Sequence, residues 1–178
     1  MPDSLVVTVI GPDRPGLVSE IAECGKAHGA SWEESRMASL AGHFAGIVKF
    51  VVPDEHSAAL TSALRKLETL GLQVVVATGS GATTVAASGG RALKLDLVGQ
   101  DRPGIVRDIA RALADLGVSI HELETELSSA AMSGEHLFNA NAILFVPPDV
   151  RTAELRRVLE ALANELMVDI ALDESRAG

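Results

Sequence analysis

An octapeptide, Gly11-Pro12-Asp13-Arg14-Pro15-Gly16-Leu17-Val18, returns 88 positions later as Gly99-Gln100-Asp101-Arg102-Pro103-Gly104-Ile105-Val106. The same spacing pairs Ile21 with Ile109, Ala22 with Ala110, Gly29 with Gly117 and Ser31 with Ser119. Self-similarity over such a length means that one supersecondary unit is built twice, and whatever fold is chosen must be chosen by both halves. Between the copies, residues 79–91 are nearly all Gly, Ala, Ser, Thr and Val. Such a stretch cannot build a core and reads as a flexible linker. The expected organisation is therefore a first module over 1–78, a linker over 79–91 and a second module over 92–174.

Each copy parses into the same six elements. Leu5, Val7 and Val9 alternate with Val6, Thr8 and Ile10, and Leu93, Leu95 and Leu97 alternate with Lys94, Asp96 and Val98. Each copy thus opens with a strand that has one apolar face. A helix is predicted from Pro15 to His28 and again from Pro103 to Leu116, where Ile105, Ile109, Leu113 and Leu116 recur on one side. Gly29 and Gly117 stand where that helix should end. Hairpins follow, with strands over Ser31–Ala38 and Phe44–Val52, then Ser119–Ser128 and Phe138–Val146; the second loop is longer, because Phe44 matches Phe138 at a spacing of 94. A second helix carries Leu60, Leu64 and Leu67 in one copy and Leu155, Leu159, Leu162 and Leu166 in the other, before closing strands over 72–78 and 167–172. The order βαββαβ implies an α+β, ferredoxin-like module: a four-stranded antiparallel sheet with two helices on one face. Modules this small leave much apolar surface uncovered, so a homo-oligomer is expected.

Composition removes several classes of function. The net charge is −9 and Lys and Arg form no stripe, so direct nucleic-acid binding is disfavoured. A single cysteine, Cys24, excludes an internal disulfide framework. The apolar run from Leu5 to Ile10 is too short for a leader, and no stretch approaches the ~20 apolar residues of a membrane span, so a soluble cytoplasmic protein is expected. The five histidines show no paired ligand spacing, and no nucleophile–base pairing or phosphate loop is visible. These patterns predict no metal, no cofactor and no catalysis.

Asp13-Arg14-Pro15-Gly16-Leu17 and Asp101-Arg102-Pro103-Gly104-Ile105, each following an apolar strand and opening a helix, resemble the ACT domain family of small-molecule regulatory modules. The doubled module, with Trp32-Glu33-Glu34-Ser35-Arg36-Met37-Ala38 leading into Ala45-Gly46-Ile47-Val48, more narrowly resembles the glycine cleavage system transcriptional repressors. That resemblance implies a small amino acid, such as glycine, bound between modules beside the loop from first strand to first helix. It also implies regulation through a partner protein, either a transcriptional regulator or, in a second reading, a metabolic enzyme to which this chain is a regulatory subunit. A third reading is a constitutive assembly protein with degenerate sites. Physical chemistry independently favours an anion at the loop: a helix start exposes backbone N–H groups and the positive end of a dipole, and Gly16 or Gly104 lets a ligand approach closely. Asp13 and Asp101 suit a ligand ammonium, while Arg14 and Arg102 suit its carboxylate or a facing module. Serine-binding members carry asparagine where Asp13 and Asp101 stand, and again where Ser31 and Ser119 stand; an ionised aspartate cannot donate to a carboxylate as an amide can, so this chain departs from a serine-like site. Equally open is the plainer reading, in which Asp13 and Asp101 cap or turn, Pro15 and Pro103 pre-set the first helical turn, and the glycines satisfy the loop.

Other residues carry weaker signals. Cys24 is replaced by Ala112 in the second copy and reads as a small buried side chain. Glu122, Glu124 and Glu126 share one strand face, which fits a solvated strand better than a cation site. Asn139 and Asn141 lie opposite Phe138, Ala140 and Ala142, and Asn139 is retained as a ligand candidate on that face. Trp32, at the position of Ile120, is expected at the seam between modules.

Overall fold

The computed structural model describes residues 1–79 and 89–174. The chain divides into two units, Met1–Ala82 and Thr83–Gly178, each with its own hydrophobic core. In the first, β1 (Pro2–Pro12), α1 (Leu17–Ala27), β2 (Ser31–Leu40), β3 (His43–Pro53), α2 (Asp54–Arg65) with a 3₁₀ turn over Lys66–Leu70, and β4 (Gln73–Thr78) follow in order. The second repeats them as β5 (Arg91–Gln100), α3 (Ile105–Asp115), β6 (Ser119–Ser129), β7 (His136–Val146), α4 (Thr152–Leu166) and β8 (Val168–Glu174). Each unit holds one antiparallel sheet, ordered β2-β3-β1-β4 and β6-β7-β5-β8. This is the ferredoxin-like arrangement expected from the element order.

Period-two alternation makes the strands and supplies the core. Leu5, Val7 and Val9 of β1 are buried with Val48, Phe50 and Val52 of β3, beneath Leu17 and Ile21 of α1 and Leu60 and Leu64 of α2. Leu93, Leu95 and Leu97 occupy the same places beneath Ile105, Ile109, Leu113, Leu155 and Leu159. Each such side chain contributes about 1.5–3 kcal/mol on burial, and among the described residues no polar or charged side chain is buried to offset it.

The helices α1 and α3 begin two residues later than the proline spacing predicts. Gly16 and Gly104 adopt left-handed conformations, with φ of 93° and 94°, and themselves occupy the N-cap positions. A non-glycine residue there would be strained, so the helix cannot extend back through it. The first glycine of the octapeptide has a different reason. A Cβ on Gly11 would lie 2.6 Å from Leu72 Cδ2, and one on Gly99 would lie 2.3 Å from Val168 Cγ1. The last strand of each module starts against the exit of the first, and this close approach places the Asp-Arg-Pro-Gly loop at one end of the sheet.

A β-bulge falls at the same point in both hairpins, between Trp32 and Glu34 and between Ile120 and Glu122. The extra residue reverses which parity faces the helices. Trp32 therefore points inward and meets Phe50 edge-on at 5.4 Å. The bulge thus packs the half-buried Trp32 ring against its own module's core. Arg91, which composition places in the linker, opens β5, where its guanidinium donates to the Val150 carbonyl at 2.7 Å and to Thr152 Oγ1 at 2.8 Å. Residues 80–88 of the expected linker lie outside the described residues.

Candidate functional site

The loop between β1 and α1 forms an open entrance to the first helix. Gly16 accepts the first helical bond, from the Glu20 N–H to its carbonyl at 3.0 Å, and no side chain caps the preceding amides. The first N–H groups of a helix have no partner within the helix, so they face outward here with the positive end of the dipole. Nothing lies within 4 Å of a Cβ built on Gly16. The space in front is a shallow cavity of about 270 Å³ lined by Asp13, Arg14, Gly16, Ser19 and buried Phe44.

Two side chains are held at its rim. The Asp13 N–H donates to the Gly42 carbonyl at 2.9 Å, and Asp13 Oδ2 accepts from the Ser39 hydroxyl at 2.6 Å. Asp13 is thus turned toward the hairpin and is not a helix cap, which corrects that part of the plainer reading. Arg14 donates twice to Glu20, Nη1 to Oε1 at 3.1 Å and Nη2 to Oε2 at 2.9 Å. The hydrogen-bonded Glu20 carboxylate pushes the Arg14 guanidinium pKa further up, so this group stays cationic. Pro15 lies in the turn ahead of the helix, its φ fixed by the ring, and not within the first helical turn.

The second entrance has the same backbone and different contents. The Asp108 N–H donates to the Gly104 carbonyl at 2.9 Å, and the Asp101 N–H to the His136 carbonyl at 3.0 Å. At the spacing of the repeat, Ser19 becomes Arg107 and Glu20 becomes Asp108. Arg107 Nε and Nη2 both lie 2.9 Å from Asp108 Oδ1, and Nη2 would stand 3.2 Å from a Cβ on Gly104. The ion pair lies over the position that is open in the first module. Arg102 has lost its counterpart of Glu20 and reaches instead to the Glu165 carbonyl at 3.4 Å, and Ser39 is replaced, at the register of Phe138, by Leu127.

The remaining candidates do not join these loops within a module. Ser31 pairs with Val51, which pairs with Ser4, whereas Asp13 follows the Pro12–His43 pair at the other end of the sheet. The 11 residues of α1 carry the chain between those ends, roughly 16 Å at helical rise. Ser119, paired with Phe145, is equally distant from Asp101. Asn139 lies on the sheet face opposite the helices, where its Nδ2 donates to Ser128 Oγ at 2.8 Å. Among the described residues no group of three His, Cys, Asp or Glu side chains could hold a metal, and no helix is long and apolar enough to cross a membrane. Glu20, Ser39, Arg107 and Asp108 were not singled out from sequence. The signal for Arg107 and Asp108 was present as a mismatch inside an otherwise well-matched repeat.

Residues 3–77 match the family model for the ACT domain. The structure of an unknown protein from Galdieria sulphuraria is similar over 99% of this chain and 100% of that one, with 33% identity and a TM-score of 0.82. That of a protein provisionally described as a glycine cleavage system transcriptional repressor is similar over 99% of both chains, with 17% identity and a TM-score of 0.72. At that identity the second likeness is one of fold. No curated protein matches.

Proposed function

Because the first module of this chain matches the ACT domain model and the second repeats that module's fold, we propose that the chain is a non-catalytic amino-acid sensor of the ACT family, a regulator of the glycine cleavage type that acts through a partner protein. The observation that carries this reading is the first helix entrance. Its uncapped amides and the Arg14 cation suit a carboxylate, and the Asp13 carboxylate beside them suits an ammonium. A zwitterion with a small side chain matches a shallow space of about 270 Å³. Net acidity supports action through another protein, since a chain of net charge −9 whose Lys and Arg form no stripe is poorly suited to neutralise a run of phosphates.

Binding can switch a partner only if the ligand prefers one state of the chain; a tenfold preference supplies about 1.4 kcal/mol. Thermal unfolding in the presence of each single amino acid tests the reading. A ligand at 100 times its Kd adds about 2.7 kcal/mol to the folded state. Silence across all of them, glycine included, removes the sensor. Capture from a native extract then identifies the partner: a DNA-binding regulator supports the transcriptional role, and a metabolic enzyme supports a regulatory subunit acting in trans.

A further inference from the structure

The two sheets have the same topology, yet the faces that their helices leave uncovered have diverged. In the first module three cross-strand rows line this face: Arg36, Ile47, Thr8 and Val75; Ala38, Ala45, Ile10 and Gln73; Glu34, Lys49, Val6 and Ala77. The equivalent rows of the second are Glu124, Asn141, Asp96 and Ala171; Glu126, Asn139, Val98 and Asp169; Glu122, Ile143, Lys94 and Asp173. One face is apolar through its middle, and the other carries six carboxylates against one lysine. Ile47, Val75 and Ile10 are 52%, 64% and 45% exposed, and a shallow depression of about 250 Å³ runs past Val6, Ile47 and Lys49.

From this divergence we propose that the uncovered face of the first module is a docking surface for the same face of a second copy of this chain. Charge argues for that occupant. The face is neutral in a chain of net charge −9, with its ions paired along the β2 side: Lys49 Nζ to Glu33 at 2.8 Å and Arg36 to Glu34 at 3.4 Å. Two such faces meet without net repulsion, and twisted sheets pack face to face at about 10 Å with their apolar side chains interdigitated. The acidic face of a second module is a poor occupant, because its six carboxylates outnumber its one lysine and burying that excess charge against Ile47 and Val75 costs desolvation that apolar side chains cannot offset. Four strands about 4.8 Å apart, overlapping for some six residues at ~3.3 Å each, give a flat footprint on the order of 400 Å² per copy. The pair then buries about 800 Å², below the ~1,200 Å² of a stable complex, so the dimer is a weak and reversible one.

The surface lies on the opposite side of the sheet from α1, and the proposal does not depend on the amino-acid reading. Sedimentation velocity of the full chain across a concentration series tests it, with far-UV circular dichroism of every variant. The wild type should dimerise reversibly, and Ile47→Glu and, independently, Val75→Lys should each raise the dimer dissociation constant by at least about tenfold while keeping the wild-type spectrum. Asn141→Asp, at the equivalent of Ile47 in the second module, should leave association unchanged. A wild type that stays monomeric into the hundreds of micromolar would overturn the proposal, as would folded Ile47→Glu and Val75→Lys variants that associate as well as the wild type.

Discussion

Glu20 grips Arg14 with both carboxylate oxygens, at 3.1 and 2.9 Å, and so decides what the guanidinium at the rim of the first entrance is free to do. A ligand carboxylate arriving at Gly16 must share Arg14 with Glu20 or displace it. In the second module the shorter Asp108 is taken by Arg107 instead, so the same octapeptide presents two electrostatic surroundings.

Removing the competitor should help the ligand. Glu20→Gln is expected to tighten binding of the responding amino acid by about tenfold, or ~1.4 kcal/mol, as Arg14 becomes available for a charge-assisted bond. Both partners are about a third exposed, at 38% and 33%, so the loss to the fold should stay below about 1 kcal/mol. Titration calorimetry with a thermal melt separates the two effects, and weaker binding would mean that Glu20 itself touches the ligand.

The two entrances should respond differently to the same substitution. Gly16→Val and Gly104→Val each force a β-branched residue to φ near 93°, costing on the order of 1–3 kcal/mol. Only Gly16→Val should abolish the ligand-induced rise in Tm, because the Gly104 position already lies beneath the Arg107–Asp108 pair. Equal loss in both variants would show that the second entrance also binds.

Trp32 is the only tryptophan, and it packs on Phe50 within the first module. Its fluorescence should therefore follow unfolding of that module alone. Leu64→Ala, at a fully buried site beneath the same sheet, should shift the fluorescence transition by roughly 2–5 kcal/mol, while Leu159→Ala should shift circular dichroism and leave the fluorescence midpoint near its original value.

Burial raises the Cys24 thiol pKa, and the nearby Glu20 and Glu23 carboxylates add to the shift. The sign follows directly: the folded chain favours the neutral thiol, so its contribution to stability is complete below the unfolded thiol pKa and is lost as pH rises through the higher folded value. Alkylation by iodoacetamide at neutral pH should be slower in the folded than in the urea-unfolded chain, with the folded rate profile displaced to higher pH.

Much of this architecture is legible along the chain. The alternation at Leu5, Val7 and Val9, the helical spacing of Ile105, Ile109 and Leu113, and the repeat itself all report one property, which side of an element is apolar. Bulges are harder to read, and the one after Trp32 sends that ring into its own core when its spacing with the following residues suggests otherwise. The candidate ligand positions mixed two kinds of information. Asp13, Arg14 and Gly16 are neighbours along the chain and stay neighbours at the entrance. Ser31 belongs to the same motif-level pattern but is carried to the far end of the sheet by α1, and Asn139 to the opposite face by strand parity.

Duplication, element order and the two cores needed no more than the chain's own periodicity, because burying an apolar stripe depends on spacing that neighbouring residues already share. Which of two matching loops stands open required the fold. That outcome turns on one methylene between Glu20 and Asp108, and on Arg107 standing where the first copy has Ser19. Differences so small acquire meaning only when a turn and a helix bring the side chains within hydrogen-bond reach. The same holds for the two uncovered sheet faces, whose opposite characters emerge when rows from four strands are laid side by side.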